Sequence, residues 1–210
     1  MDAKSRVKEV LKRLKKEYPG AKTALDFRTP FELLVATILS AQTTDAHVNK
    51  VTESLFKKYK SVRDYAEAPL SELQKDISSI NFYRNKAKSI QACAKAILEK
   101  FNGQVPKTIE ELTTLPGVGR KTANIVLFNA FGINEGIGVD THVMRLSQRL
   151  GLTKQKDPEK IEQDLMAITP KKDWGNLTNL LILHGRRVCV AKKPKHDQCV
   201  LRDICPSRDI

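Results

Sequence analysis

The chain is predicted to be all-α, on three observations: apolar residues recur at helical spacing almost throughout, cap and stop residues bracket those stretches, and no alternating strand pair with a hairpin turn appears. Val7, Val10, Leu11 and Leu14 start the first helix, which Pro19 and Gly20 end. Thr29-Pro30 is a cap with proline at the first helical position, opening an apolar stretch from Phe31 to Leu39. Val48, Val51 and Leu55 continue the period. Ser71-x-x-Gln74 and Thr108-x-x-Glu111 read as capping boxes. Ala87, Ile90, Ala94, Ile97 and Phe101 mark a long helix stopping at Gly103. A helix follows from about Arg120 to Phe131, closed by Gly132, and Asp157-Pro158 opens a late one. About nine or ten helices joined by short loops are expected. After His184 the chain reads as a loop organised by metal rather than as a helix.

With 210 residues, 40% of them hydrophobic, the chain can bury one large core or two small ones. No apolar run approaches the ~20 residues of a membrane span. The N-terminal stretch is basic but carries Asp2, Glu9 and Glu17, and reads as mature structure rather than a targeting signal. The formal net charge of +13 points to a polyanion, most often nucleic acid, though ribosomal, nuclease and membrane-surface proteins share it. Cys93 stands alone in a helical pattern and reads as a small buried residue. Cys189, Cys199 and Cys205 crowd the tail, where a reducing compartment makes them metal ligands before disulfides.

Leu115-Pro116-Gly117-Val118-Gly119-Arg120-Lys121 lies between two helical patterns. Gly117 and Gly119 permit positive φ and leave backbone N–H groups uncovered. Together with the next helix N-terminus these N–H groups make a site for a phosphate. A lysine amine is a nucleophile only when neutral, a state favoured by partial burial and nearby positive charge. The helix N-terminus and Arg120 both push Lys121 that way. Asp140, in Gly138-Val139-Asp140-Thr141-His142-Val143, precedes another helix; its carboxylate can stabilise a cationic sugar or move a proton. Taken singly, Lys121 also reads as a solvent-facing side chain and Asp140 as a helix cap.

Leu115–Asn124 together with Val139–Val143 resembles the helix-hairpin-helix-GPD superfamily of DNA glycosylases, and within it the endonuclease III family. Ser40–Asp45, Phe82–Ala87 and His184–Arg186 extend the resemblance nearly end to end. It implies two helical domains flanking a DNA-binding cleft. One is a six-helix barrel with the helix-hairpin-helix, about residues 23–134. The other joins residues 1–22 to 135–210 and carries an iron–sulfur loop at 189–205. The resemblance assigns Lys121 the attack on C1′ and Schiff-base cleavage, and Asp140 the assistance of base departure. Gln42 matches a residue that fills the space of a flipped base, and Phe82 an apolar wedge, where a core aromatic is the alternative. Asp45 and His142 fall in motifs at the cleft. Leu115, Gly117, Gly119 and Arg120 form the phosphate clamp. The expected partner is double-stranded DNA with a damaged pyrimidine or an abasic site. The family's enzymes are usually monomers, and a cytoplasmic, nucleoid-associated location follows.

Family members usually hold a [4Fe–4S] cluster with Cys-x6-Cys-x2-Cys-x5-Cys. Here the spacing is kept but the donors are Cys189, His196, Cys199 and Cys205. A Cys3His cluster, a cluster on three cysteines with His196 unbound, a Zn²⁺ on the same ligands, and a labile site all stay open. Arg186 precedes the loop, and Lys192, Lys193 and Lys195 lie within it, placed to meet DNA phosphates. An adenine-mismatch glycosylase would put a glutamate in Leu34–Ser40, which has none, and the chain ends five residues after Cys205, with no room for a further recognition domain. Thymine-mismatch relatives tend to lack the lysine. A non-catalytic DNA-binding protein leaves Lys121 with Asp140 unexplained, and a zinc-binding regulator leaves the rest of the chain so. Abasic-site cleavage with little base removal is the fallback.

Overall fold

In a computed structural model, residues 1–208 are described and are all-α. The helices are α1 (Ala3–Glu17), α2 (Pro30–Leu39), α3 (Asp45–Lys58), α4 (Val62–Glu67), α5 (Leu70–Asp76), α6 (Tyr83–Phe101), α7 (Ile109–Thr113), α8 (Arg120–Phe131), α9 (Thr141–Arg149), α10 (Pro158–Ile168) and α11 (Trp174–Arg187). Three 3-10 turns, Lys171–Asp173, His196–Gln198 and Arg202–Ile204, complete the regular structure among the described residues. The eleven α-helices exceed the nine or ten expected, because short helices such as α4 are too brief to show periodicity. The chain separates into two compact units, residues 24–133 and residues 1–23 with 134–210.

In the unit 24–133, α2 is the central element. Phe31 and every residue from Leu33 to Leu39 are buried, so the helix is apolar all round and is enclosed by α3, α6 and α8. Thr29 caps it and Glu32 returns the bond to the Thr29 N–H, a full capping box. The box expected at Ser71 is absent: α5 starts at Leu70 behind Pro69, which leaves Ser71 inside the first turn. Thr108 does cap α7, accepting from the Glu111 N–H. The long helix α6 turns Ile90, Cys93, Ala94 and Ile97 to the core and stops where Asn102 and Gly103 both take positive φ. Cys93 is buried, and burial pushes its thiol up to about 12, as a structural cysteine requires.

In the other unit, Val7, Val10 and Leu14 of α1 join Val143 and Leu146 of α9, Ile161 and Leu165 of α10, and Leu177 and Leu181 of α11 in one core. Asp157 caps α10 as its Asp-Pro opening predicts. Helix α11 continues to Arg187, three residues past the point where the sequence reads as loop. His184 and Gly185 are buried near its end, and Val188 remains buried beyond it.

Candidate DNA glycosylase site and metal loop

Helix α7, the turn 114–119 and helix α8 form a helix-hairpin-helix in the unit 24–133. Leu115 and Val118 are buried, and the Val118 N–H donates to the Leu115 carbonyl at 3.1 Å. The Leu115 side chain therefore anchors the turn from inside, which leaves only the backbone of this residue to face a phosphate. Gly117 has φ +79°, and a Cβ there would stand 2.8 Å from Ser89 Cβ on α6. Only glycine fits that backbone at that separation. Gly119 departs from expectation: its φ is −93°, extended, with nothing within 4 Å of a built Cβ. It is the N-cap of α8 and makes no side-chain cap hydrogen bond, so no capping side chain occupies the helix N-terminus, the end at which a helix favours an anion.

Arg120 and Lys121 are the first two residues of α8, and both are exposed. Lys121 has positive neighbours on its own helix end but not the partial burial expected of it. Gln42 and Phe82, in the same unit, are exposed; Phe82 is 62% accessible, which excludes the core-aromatic reading. Both have positive φ, 55° and 59°, rare for residues with a Cβ. Asp45 is the first residue of α3, beside its cap Thr44.

In the unit containing α9, Asp140 is that helix's N-cap. Its Oδ1 accepts the N–H groups of His142 and Val143, each at 2.8 Å. Half-burial pushes the His142 imidazole below its usual range; Asp140 opposes this, and the positive charges of Arg145 and Arg186 reinforce it. The Arg145 Nη2 donates toward His142 Nδ1 at 3.1 Å. His142 is therefore neutral at neutral pH, with Nδ1 as the acceptor. Lys121 and Asp140 belong to different units.

The four tail donors, Cys189, His196, Cys199 and Cys205, line one hollow. Arginines hold its walls. Arg149 donates to the Val190 and Ala191 carbonyls at 2.8 and 2.9 Å and lies 3.4 Å from Cys189 Sγ. Arg145 donates to the carbonyls of Gly185 and Cys189. Arg13, ion-paired with Asp203, donates to the Val200 carbonyl at 3.0 Å. Burial pushes the Cys199 and Cys205 thiols above their usual range, and neighbouring Cys189 adds to both. Thiols that oppose one another's ionisation around a shared hollow fit a cationic metal centre, which would hold all of them as thiolates. Among the described residues no three His, Cys, Asp or Glu side chains converge on a single-ion site. His184, buried on α11, has a partner at each ring nitrogen: Tyr18 Oη lies 3.0 Å from Nδ1 and Cys199 Sγ 3.4 Å from Nε2. Burial pushes this imidazole down to about 4. The tail lysines Lys192, Lys193 and Lys195 are exposed, Lys193 with φ 53°, and Arg186 is exposed at the end of α11.

The sequence reading missed Arg13, Arg145, Arg149 and Tyr18 as supports of this loop. Their partners are mostly backbone carbonyls and leave no residue pattern. Lys86 could have been found, since it falls on the apolar stripe Ile90, Cys93 and Ile97 of α6, where a lysine is out of place.

The family model described as HhH-GPD superfamily base excision DNA repair protein matches residues 35–171, and the iron–sulfur binding domain of endonuclease III matches residues 189–205. Endonuclease III of Synechocystis sp. is 55% identical over 97% of this chain and 93% of its own length. That of Bacillus subtilis is 51% identical over 90% and 86%. A solved structure of a trapped endonuclease III–DNA covalent intermediate superposes with a TM-score of 0.93 at 46% identity, covering 99% of this chain and 98% of that one. With two matched domains and near full-length identity of this order, the chain belongs to the endonuclease III family of the helix-hairpin-helix-GPD superfamily, the DNA glycosylases and abasic-site lyases of base excision repair, and has that family's iron–sulfur domain.

Proposed function

We propose that this enzyme removes oxidised pyrimidines from duplex DNA and then cleaves the strand 3′ to the abasic site, with Lys121 as nucleophile. The observation that carries the reading is the position of Lys121 in the first turn of α8, directly after the glycine turn. A phosphate held by that turn and the N-terminus of α8 brings the neighbouring sugar to the lysine. The similar protein trapped covalently on DNA supports a covalent nucleophile in this fold.

The steps follow from the groups present. The Lys121 Nζ attacks C1′ as the glycosidic bond breaks, and the base leaves with its bonding electrons and takes up a proton. Asp140 stabilises the cationic sugar through its carboxylate and then moves protons as the ring opens to the Schiff base. Loss of the C2′ proton expels the 3′ phosphate, and water hydrolyses the imine to free Lys121. Gln42 and Phe82 fill the space the flipped nucleotide leaves, Asp45 and His142 support the site, and Arg120, Arg186, Lys192, Lys193 and Lys195 meet phosphates.

Cys189, Cys199 and Cys205 with His196 as the fourth donor would hold the [4Fe–4S] cluster in this reading, since all four line one hollow. Bound there, the cluster supplies a one-electron redox centre and a structural clasp for the lysine loop. Residues 24–133 act as the barrel domain and the remainder as the cluster domain. DNA as substrate places the enzyme with the nucleoid.

The test is borohydride trapping on duplex DNA carrying one thymine glycol, with Lys121→Ala as control. A covalent complex that disappears in the variant supports the nucleophile and the lesion class. Trapping at an abasic site but not at thymine glycol reduces the activity to a lyase. No trapping on either substrate, with DNA binding intact, overturns the catalytic reading.

A further inference from the structure

Two loops of the unit 24–133, residues 40–43 and 79–82, each present one exposed residue in the left-handed region: Gln42 at φ 55° and Phe82 at φ 59°. Residues with a Cβ hold that conformation only where their surroundings impose it. Hydrogen bonds from α6 and its neighbouring loops impose it here. Lys86 is buried on α6, and its Nζ donates to the Leu39 carbonyl at 2.8 Å and the Ala41 carbonyl at 2.6 Å, with Thr43 Oγ1 at 3.4 Å. The Lys86 backbone N–H donates to the Phe82 carbonyl at 3.1 Å. Asn81 Nδ2 donates to the Gln42 carbonyl at 2.6 Å, and His47 Nε2 to the Ser79 carbonyl at 3.1 Å.

One lysine thus closes the C-terminal end of α2 with its ammonium and the start of α6 with its amide. Burial pushes that ammonium below the usual lysine range, so its presence costs stability that a core apolar residue would not. An ammonium spends its three hydrogens on three acceptors here and makes a rigid bracket that no apolar side chain can copy.

We infer that Lys86 and Asn81 are positioning residues that lock Gln42 and Phe82 in their left-handed conformations before DNA arrives, so that both side chains stand ready to enter the duplex as the damaged nucleotide leaves it. The inference rests on the proposed void-filling role of Gln42 and Phe82. Preorganisation of this kind removes the ordering cost from the flipping step and leaves the chemistry at C1′ untouched.

The experiment compares Lys86→Met and Asn81→Ala on two substrates under single-turnover conditions: duplex DNA with one thymine glycol, and single-stranded DNA with one abasic site, which has no stack to enter. Asn81 is exposed, so its variant keeps the core whatever Lys86→Met does to it. The expected result is a duplex rate lowered about tenfold in each variant and a single-strand rate within about twofold of the parent, at unchanged helical circular dichroism. Equal losses on both substrates, or no loss on either, overturn the bracket. Gln42→Ala separates the bracket from the void filling. If it slows duplex cleavage while the Lys86 and Asn81 variants do not, the bracket fails and the void-filling role stands. If it slows neither substrate, the void-filling role fails and the bracket with it.

Discussion

Asp140 Oδ1 accepts the backbone N–H of Val143 at 2.8 Å, so the carboxylate assigned to the chemistry is also the N-cap of α9. The two duties separate by substitution. Asparagine caps a helix as well as aspartate does but bears no charge. Asp140→Asn should leave thermal stability unchanged and lower single-turnover base excision by roughly a hundredfold or more. Asp140→Ala should lose the same activity and about 1 kcal/mol of stability besides. An Asn variant with parental activity would confine Asp140 to capping.

Gly117 and Gly119 look alike in sequence and should respond differently. Gly117→Ala forces a left-handed alanine against Ser89 Cβ and should destabilise the fold by about 2 kcal/mol or more, read as a lowered Tm. Gly119→Ala has room for its Cβ and an extended backbone, and should change stability by less than about 0.5 kcal/mol. Its methyl group stands at the open N-terminus of α8, so duplex affinity should fall while the Tm holds. A lowered Tm in both variants would show that the turn's glycines serve folding alone.

The tail lysines should act through phosphates. Replacing Lys192, Lys193 and Lys195 with alanine should weaken binding to any duplex and flatten the dependence of log affinity on log salt by about 0.9 for each phosphate left without its cation. Iron and acid-labile sulfide content should stay at the parental level, because none of the three is a cluster donor. A salt slope identical to the parent's would remove the loop from the DNA-binding surface.

His142 makes stability depend on pH with a definite sign. Its folded-state imidazole is depressed by burial, chiefly, so below the ordinary imidazole value of 6.5 the unfolded chain takes up a proton that the folded chain refuses. Its contribution is complete above that value and is lost as the pH falls through the window beneath it. Urea unfolding between about pH 7.5 and about pH 5 should show a smaller loss for His142→Gln, whose amide oxygen can still accept from Arg145. An equal loss in both proteins would assign the acid sensitivity elsewhere.

Much of this protein is legible as local pattern. The spacing of Val7, Val10, Leu11 and Leu14 predicts α1, and Gly132 ends α8 where the sequence places its stop. Those features rest on neighbours within a turn or two of chain, which is the range over which helix periodicity and capping operate. The order of donors in the tail and the glycine turn before Lys121 are of the same kind. Other features depend on chain segments far apart in sequence. Ser71 begins a capping-box pattern that packing of α5 behind Pro69 leaves unused. Gly117 admits no side chain because Ser89 of α6 passes 2.8 Å from where its Cβ would stand, which no local rule registers. The bracket of Lys86 on Leu39 and Ala41, and the arginines on the cluster loop, bond to backbone carbonyls that every residue possesses. Sequence by itself determined the all-α class, most of the longer helices and the family, because side-chain type and spacing encode them. Tertiary structure alone decided which strained backbones are held and by what, because a hydrogen bond to a distant carbonyl depends on where the folded chain passes.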